Sequence, residues 1–260
     1  MKLYVHEWGA RDAPPVVCLH GITAHGGRFR HLAEERLADR FHVLALDLRG
    51  HGRSSWEPPW SLATHIDDVL ETLDAAGIES AAWVGHSFGA RLILELAGRE
   101  PHRIERAALL DPAIRIRPDN ALRLAEGERS EQLFATPEDA RPPVSAARVL
   151  RAPAERLQTD RGDHLEQLED GSWRWRYCQS AVVAILGELA SWPPPPEEID
   201  FPTLIVVGAD ESVVGERQLD RYRRALGDKL EVVTVPGGHV VLWDAYDETA
   251  EAVAGFLGAT

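Results

Sequence analysis

The stretch Val84-Gly85-His86-Ser87-Phe88-Gly89-Ala90 constrains this chain more than any other. Four apolar residues, Ala81-Ala82-Trp83-Val84, lead into it and a helical pattern over residues 91–97 leads out, so Ser87 falls where a strand turns sharply into a helix. A serine on such a turn is held in a strained backbone conformation, and side chains two positions before and after it would collide. Gly85 and Gly89 remove that collision. The turn lifts the hydroxyl clear of a sheet, and the N–H of Phe88, opening the next helix, points at negative charge developing beside Ser87. A bare Gly-x-Ser-x-Gly also occurs as an ordinary turn; the flanking strand and helix make this one a candidate nucleophile elbow.

An elbow of this kind needs a buried sheet beneath it, and the flanking sequence supplies one. Residues 2–8 alternate like an edge strand, whereas 16–19 is a continuous apolar run, as expected of a parallel strand covered on both faces, and 41–46, 104–110, 203–208 and 230–235 read as further strands. Helical spacing recurs at 29–37, at 61–76 with Leu62, Ile66, Val69, Leu70 and Leu73 on one face, at 217–226 and at 246–257. Strands alternating with helices predict an α/β fold with a doubly wound, mostly parallel sheet. Residues 1–112 and 198–260 form its core. Residues 113–197 differ: they are rich in Arg, Glu and Pro, carry no convincing buried strand, and show amphipathic stretches at 120–132 and 181–189. This is the pattern of an inserted helical cap over the strand ends. Within it Trp173, Trp175 and Tyr177 alternate after the turn signal Asp170-Gly171, which puts three rings on one face as a substrate wall or as the cap's own packing. The stiff run Pro193-Pro194-Pro195-Pro196 is the return strut to the core.

Composition narrows the partners. A chain of 260 residues suits a single α/β domain, and 28 Lys+Arg against 42 Asp+Glu, a net charge of −14, disfavours binding to a phosphate backbone. No nucleic-acid partner is expected. The two cysteines, Cys18 and Cys178, lie far apart and read as reduced thiols. No apolar segment suits a signal peptide or a membrane span, so the expectation is a soluble cytoplasmic protein without a membrane partner. Nothing in the sequence addresses oligomeric state.

The chemical candidates all fall at the carboxyl ends of the strands, where open α/β sheets collect functional residues. A serine hydroxyl needs a base, and His239 in Gly237-Gly238-His239 directly follows the last strand. The imidazole in turn needs a carboxylate. Asp210 and Glu211 follow the 203–208 strand, the commonest place for the acid in this order, while Asp111 ends the 104–110 strand; Asp111 and Asp210 stand level, with Glu211 behind. The loop His20-Gly21-Ile22 offers the N–H of Ile22 as a second oxyanion donor beside that of Phe88. His86 is assigned to packing and substrate contact. His20 and His25 share a loop without the spacing of a ligand pair, so neither a metal nor a cofactor is expected.

His20-Gly21, Asp47-x-Arg49-Gly50-His51-Gly52-Arg53-Ser54, Gly85-His86-Ser87-Phe88-Gly89 and Gly238-His239 stand in an order that resembles the α/β-hydrolase superfamily, over essentially the whole chain apart from the cap. The resemblance implies a cofactor-free, acyl-enzyme serine hydrolase with Ser87 as nucleophile, His239 as base, and Ile22 and Phe88 as oxyanion donors. After Gly208 the usual Gly-x-x-Asp would put aspartate where Glu211 stands, which weakens the usual acid assignment. Relatives similar to haloalkane dehalogenases place their acid after the strand corresponding to 104–110, which favours Asp111, although Ser87 in place of their aspartate excludes dehalogenation. The expected reaction is hydrolysis of a small or medium carboxylic ester or lactone, with an apolar pocket from Trp173, Trp175, Tyr177, Phe88 and Ile22. Carbon–carbon bond hydrolysis, peroxyacid formation and a catalytically slow ligand receptor are the alternatives on the same scaffold.

Overall fold

The computed structural model describes residues 1–140 and 154–259. The apolar runs become β1 (Tyr4–Trp8), β2 (Pro15–Leu19), β3 (His42–Asp47), β4 (Ala81–His86) and β5 (Ile104–Leu110). After the insertion come β9 (Thr203–Gly208) and β10 (Leu230–Val235). Among the described residues these seven form one sheet in the order β1-β3-β2-β4-β5-β9-β10. Only β1 runs antiparallel, against β3; the other pairs are parallel. The elbow strand β4 sits at the centre.

Continuous apolar strands reflect cover on both faces, and the side chains divide with period two. Val17, Leu19, Leu109 and Ile205 join one core cluster, whereas Val16, Cys18, Ala108 and Leu204 join the other. The first face is covered by α2 (Leu62–Ala75), α3 (Phe88–Arg99) and α7 (Glu216–Leu226). The second is covered by a helical stretch around α1 (Arg30–Leu32), by α8 (Val241–Asp244) and by α9 (Tyr246–Gly258). Ser61 caps α2 by accepting the N–H of Thr64 at 3.2 Å. The helix expected over 29–37 is irregular: it is 3₁₀ over Gly26–Phe29 and π-wound over Ala33–Leu37. The wider winding keeps Phe29, Leu32, Ala33 and Leu37 all buried against the sheet.

The chain leaves the sheet after β5 and returns at β9. In between lie α4 (Pro118–Gly127), β6 (Leu133–Phe134), α5 (Ala154–His164), β7 (Leu165–Gln167), β8 (Trp173–Trp175) and α6 (Gln179–Glu188); residues 141–153 of the insertion lie outside the described residues. The insertion is therefore not purely helical. Its three short strands pair antiparallel in the order β6-β8-β7. Strands of two or three residues with Arg174 and Glu166 among them show no buried-strand periodicity, which is why the sequence hides them. Arg161-Gly162-Asp163 is helical, and Asp163 pairs with Arg30 at 2.9 Å. Helix α6 seats the insertion on the core: Ile185 packs with the sheet-side cluster, and Val182 and Leu186 pack with Leu165, Trp175 and Tyr177.

Candidate active site

Ser87 joins β4 to α3 with φ 51° and ψ −108°, outside the regions that L-residues favour. The glycines beside it answer to close approach. A Cβ on Gly85 would lie 2.6 Å from Ala90 N, and one on Gly89 would lie 2.1 Å from Leu19 O. Backbone bonds then fix the turn: Ser87 N donates to Leu110 O at 3.0 Å, and Ala113 N donates to Ser87 O at 3.1 Å. Phe88 opens α3, so its N–H is among those that the helix itself leaves unpaired.

His239 follows β10 through Pro236-Gly237-Gly238, a turn held by Gly238 N donating to Asp244 Oδ2 at 2.9 Å. Its Nε2 lies 2.9 Å from Ser87 Oγ and its Nδ1 lies 2.5 Å from Asp111 Oδ2. Asp111 directly follows β5, is fully buried and has φ 41°. Its carboxylate also accepts Val213 N at 3.0 Å and the hydroxyl of Ser212. An ionised carboxylate only accepts, so Nδ1 of His239 carries the proton and Nε2 is left to accept from Ser87. The carboxylate meeting the imidazole is thus Asp111. Asp210 and Glu211 are exposed in the turn after β9, where Asp210 N donates to Gly237 O. The loop that supplies the acid in the commonest arrangement here supplies donors to an acid on the neighbouring strand. Ser212 and Val213 escape sequence reasoning because neither is a titratable residue.

The loop after β2 comes up against the elbow. A Cβ on Gly21 would lie 3.3 Å from Ser87 Cβ and 2.7 Å from His86 Nδ1, so only glycine lets the backbone leading to Ile22 pass this close. The loop is held from below by the segment after β3. His20 Nδ1 donates to Gly21 O at 2.7 Å and its Nε2 accepts Leu48 N, while Thr23 N donates to His51 Nε2. Asp47 accepts Gly26 N at 2.7 Å and Arg53 N at 2.8 Å. Burial pushes the Asp47 carboxyl up, but His6 and the Arg53 N–H outweigh burial and hold it well below the usual carboxylate range. Burial also lowers His20 well below, and His51 to about 4, so both stay neutral scaffolding. The Asp47–Ser54 motif is therefore a support for the Ile22 loop, a role its spacing alone does not disclose.

His86 points behind the elbow, with Nε2 3.0 Å from His239 O and its ring 4.9 Å from that of His239. Burial, followed by the neighbouring His239, lowers its pKa to about 3. It braces the backbone of the candidate base. Of the insertion's aromatics Trp173, Trp175 and Tyr177, two are closed off from solvent. Trp175 and Tyr177 are buried in the insertion's own cluster, Tyr177 donates to Glu128 Oε2 at 3.0 Å, and Trp173 is half-buried at that cluster's margin. Ile22 packs partly on the same cluster, which ties the insertion to the loop beside Ser87. A large ring in a small insertion contributes most as core.

A family model described as the alpha/beta hydrolase fold matches residues 14–246. The chain belongs to the α/β-hydrolase family. This hydrolase is similar to Lipase LipV of Mycobacterium tuberculosis, 28% identical over 99% of this chain and 98% of the lipase. It is similar to 2-(acetamidomethylene)succinate hydrolase of Mesorhizobium japonicum, 31% identical over 100% of this chain and 92% of that protein. A crystal structure of E-2-(acetamidomethylene)succinate hydrolase superposes with TM-score 0.88 at 27% identity, covering 99% of this chain and 95% of that one. Among the described residues no helix is long and apolar enough to cross a membrane, and Cys18 and Cys178 are free thiols.

Proposed function

We propose that this hydrolase cleaves small or medium carboxylic esters, lactones among them, through an acyl-enzyme on Ser87. The observation that carries the proposal is the unbroken contact from Ser87 Oγ to His239 Nε2 and from His239 Nδ1 to Asp111. His239 takes the Ser87 proton as Oγ attacks the carbonyl carbon, and Asp111 holds the resulting imidazolium. The carbonyl oxygen becomes an oxyanion facing the N–H groups of Ile22 and Phe88. Collapse breaks the carbon–oxygen bond, and the leaving alcohol takes the proton from His239. Water then gives a proton to His239 and attacks the acyl-enzyme; collapse breaks the bond to Ser87 Oγ, which takes that proton back from His239, and the acid is released.

Residues 113–197 act in this proposal as a cap over the site, and the two free thiols fit a reducing cytoplasm. A second substrate class comes from the relative in Mesorhizobium japonicum, whose name specifies an acetamido compound. An amide follows the same steps with an amine as leaving group. A panel of p-nitrophenyl acetate, butyrate and octanoate, a γ-lactone and an N-vinyl acetamide ranks the classes. The wild type hydrolyses at least one of them and is labelled by a fluorophosphonate probe; Ser87→Ala loses the label and roughly 10⁴-fold or more of the rate. Equal rates in both proteins overturn the proposal. A wild type that neither turns over nor takes the label is a binding protein on the hydrolase scaffold.

A further inference from the structure

His25, Asp160 and His164 come together where the cap meets the core. His25 precedes the 3₁₀ turn Gly26–Phe29, three residues past Ile22, while Asp160 and His164 lie four apart on α5 and so share one helix face. All three are buried. His25 Nε2 is 3.0 Å from Asp160 Oδ1, the rings of His25 and His164 are 4.7 Å apart, and one ligand atom from each residue lies within 4.8 Å of the others.

His164 is what asks for an occupant. It is wholly buried, and neither ring nitrogen has a hydrogen-bond partner. A neutral imidazole carries one donor and one acceptor, and burying both unpaired is a cost that folded proteins rarely leave uncompensated. Two imidazoles and one carboxylate are the donor set of zinc and its first-row neighbours, not of magnesium or calcium, which prefer oxygen ligands.

We propose that His25, Asp160 and His164 form a binding site for a zinc-class divalent metal that fastens the cap helix α5 to the loop carrying Ile22. Arg28 holds both Asp160 oxygens, Nε on Oδ1 at 2.8 Å and Nη2 on Oδ2 at 3.1 Å. The metal displaces the Nε contact and the Nη2 contact remains as an outer-shell partner of the carboxylate. The guanidinium charge opposes a dication, which favours metals with strong affinity for imidazole. A rival cluster, His6, His25 and Asp47, also uses His25, but Asp47 is already committed to Gly26 N, Arg53 N and His6. Among the described residues no buried side-chain atom of His6, His25 or Asp47 lacks a partner, in contrast to His164.

The site is independent of the substrate class, and its test does not depend on turnover. The full chain, free of any histidine tag and stripped with EDTA, is titrated with ZnCl₂ by calorimetry and with CoCl₂ by visible absorption. One equivalent binds, the Co²⁺ complex shows ligand-field bands of a low-coordinate site, and Zn²⁺ raises the thermal midpoint. His164→Gln and Asp160→Asn each weaken binding by roughly 100-fold or more, a little beyond the loss typical of outer-shell changes, whereas His6→Ala binds as the wild type does. Should His164→Gln fail to fold, Asp160→Asn and the wild-type Co²⁺ spectrum decide. Absence of stoichiometric binding overturns the proposal, as does undiminished binding in Asp160→Asn, or loss in His6→Ala.

Discussion

Among the described residues three non-glycine residues take positive φ, and each belongs to the candidate site: Thr23 at 56°, Ser87 at 51° and Asp111 at 41°. Strain of this kind persists where surrounding bonds over-determine it, and at Asp111 those bonds are on view. The carboxylate is gripped by Ser212 and Val213 from the β9 loop while it faces His239. Asp111→Asn should therefore lower kcat by roughly 10⁴-fold, because an amide at that position no longer fixes the His239 tautomer. Asp210→Asn, in an exposed turn, should stay within about twofold of wild type. The reverse ranking in ester assays would return the acid to the β9 loop. Ser212→Ala removes one hydrogen bond to a buried charge, worth about 1.5–3 kcal/mol, and should cut kcat by roughly 10- to 100-fold with KM unchanged. A change confined to KM would make Ser212 a substrate contact. The sequence brought Asp111 and Asp210 to a draw because both follow strands that end at the same rim. Choosing between them required knowing which loop leans over which strand, and that depends on backbone placement rather than residue type.

At the level of elements, what was legible follows burial. The strands Ile104–Leu110, Thr203–Gly208 and Leu230–Val235 agree with the expected bounds residue for residue; Thr203–Gly208 is buried throughout, whereas exposed Glu105, Glu231 and Thr234 mark solvent positions in the other two. The insertion was not legible in this way. Its small sheet pairs Leu133 with Arg174 and Leu165 with Trp175, and α6 packs Val182 and Leu186 on Trp175 and Tyr177; strands of two or three residues are too short individually to carry a period. Gly89 gives this scale a test. Its missing side chain lets α3 lie on β2, and a Cβ there would fall 2.1 Å from Leu19 O. Gly89→Ala should lower stability by about 1–3 kcal/mol in urea titrations and lower kcat with it, since the shift moves the Phe88 N–H. Gly187, near the end of α6, is exposed, and a Cβ added there would meet nothing within 4 Å, so Gly187→Ala should instead stabilise by about 0.4–1 kcal/mol. Effects of the same sign in both variants would break the link between close approach and glycine.

Over the whole molecule the most consequential feature is a core that contains unprotonated histidines. His20, His51, His65, His86 and His164 all have pKa values lowered first by burial, His51 to about 4 and His86 to about 3. In the unfolded chain each returns to about 6.5. As pH falls below that value the unfolded state takes up protons that the native state refuses, so stability rises with pH between about 4 and 6.5 and is lost on acidification. Asp47 and Asp160 are lowered as well and act in the same direction, but their contributions fade only as pH falls through the ordinary carboxylate range and below, so the histidines set the loss in this window. Each ring excluded from protonation contributes a slope of about 1.4 kcal/mol per pH unit, and a few such slopes rival the roughly 5–15 kcal/mol that a domain has to lose. Urea midpoints measured from pH 7.5 to 4.5 should stay level above about 7 and then fall steeply. His51→Gln should flatten the slope by close to one proton while weakening the hold on Thr23 N. A wild-type midpoint that is constant down to pH 5 would mean that these rings take up protons without unfolding the chain, and the neutral histidine scaffold beneath the Ile22 loop would have to be abandoned.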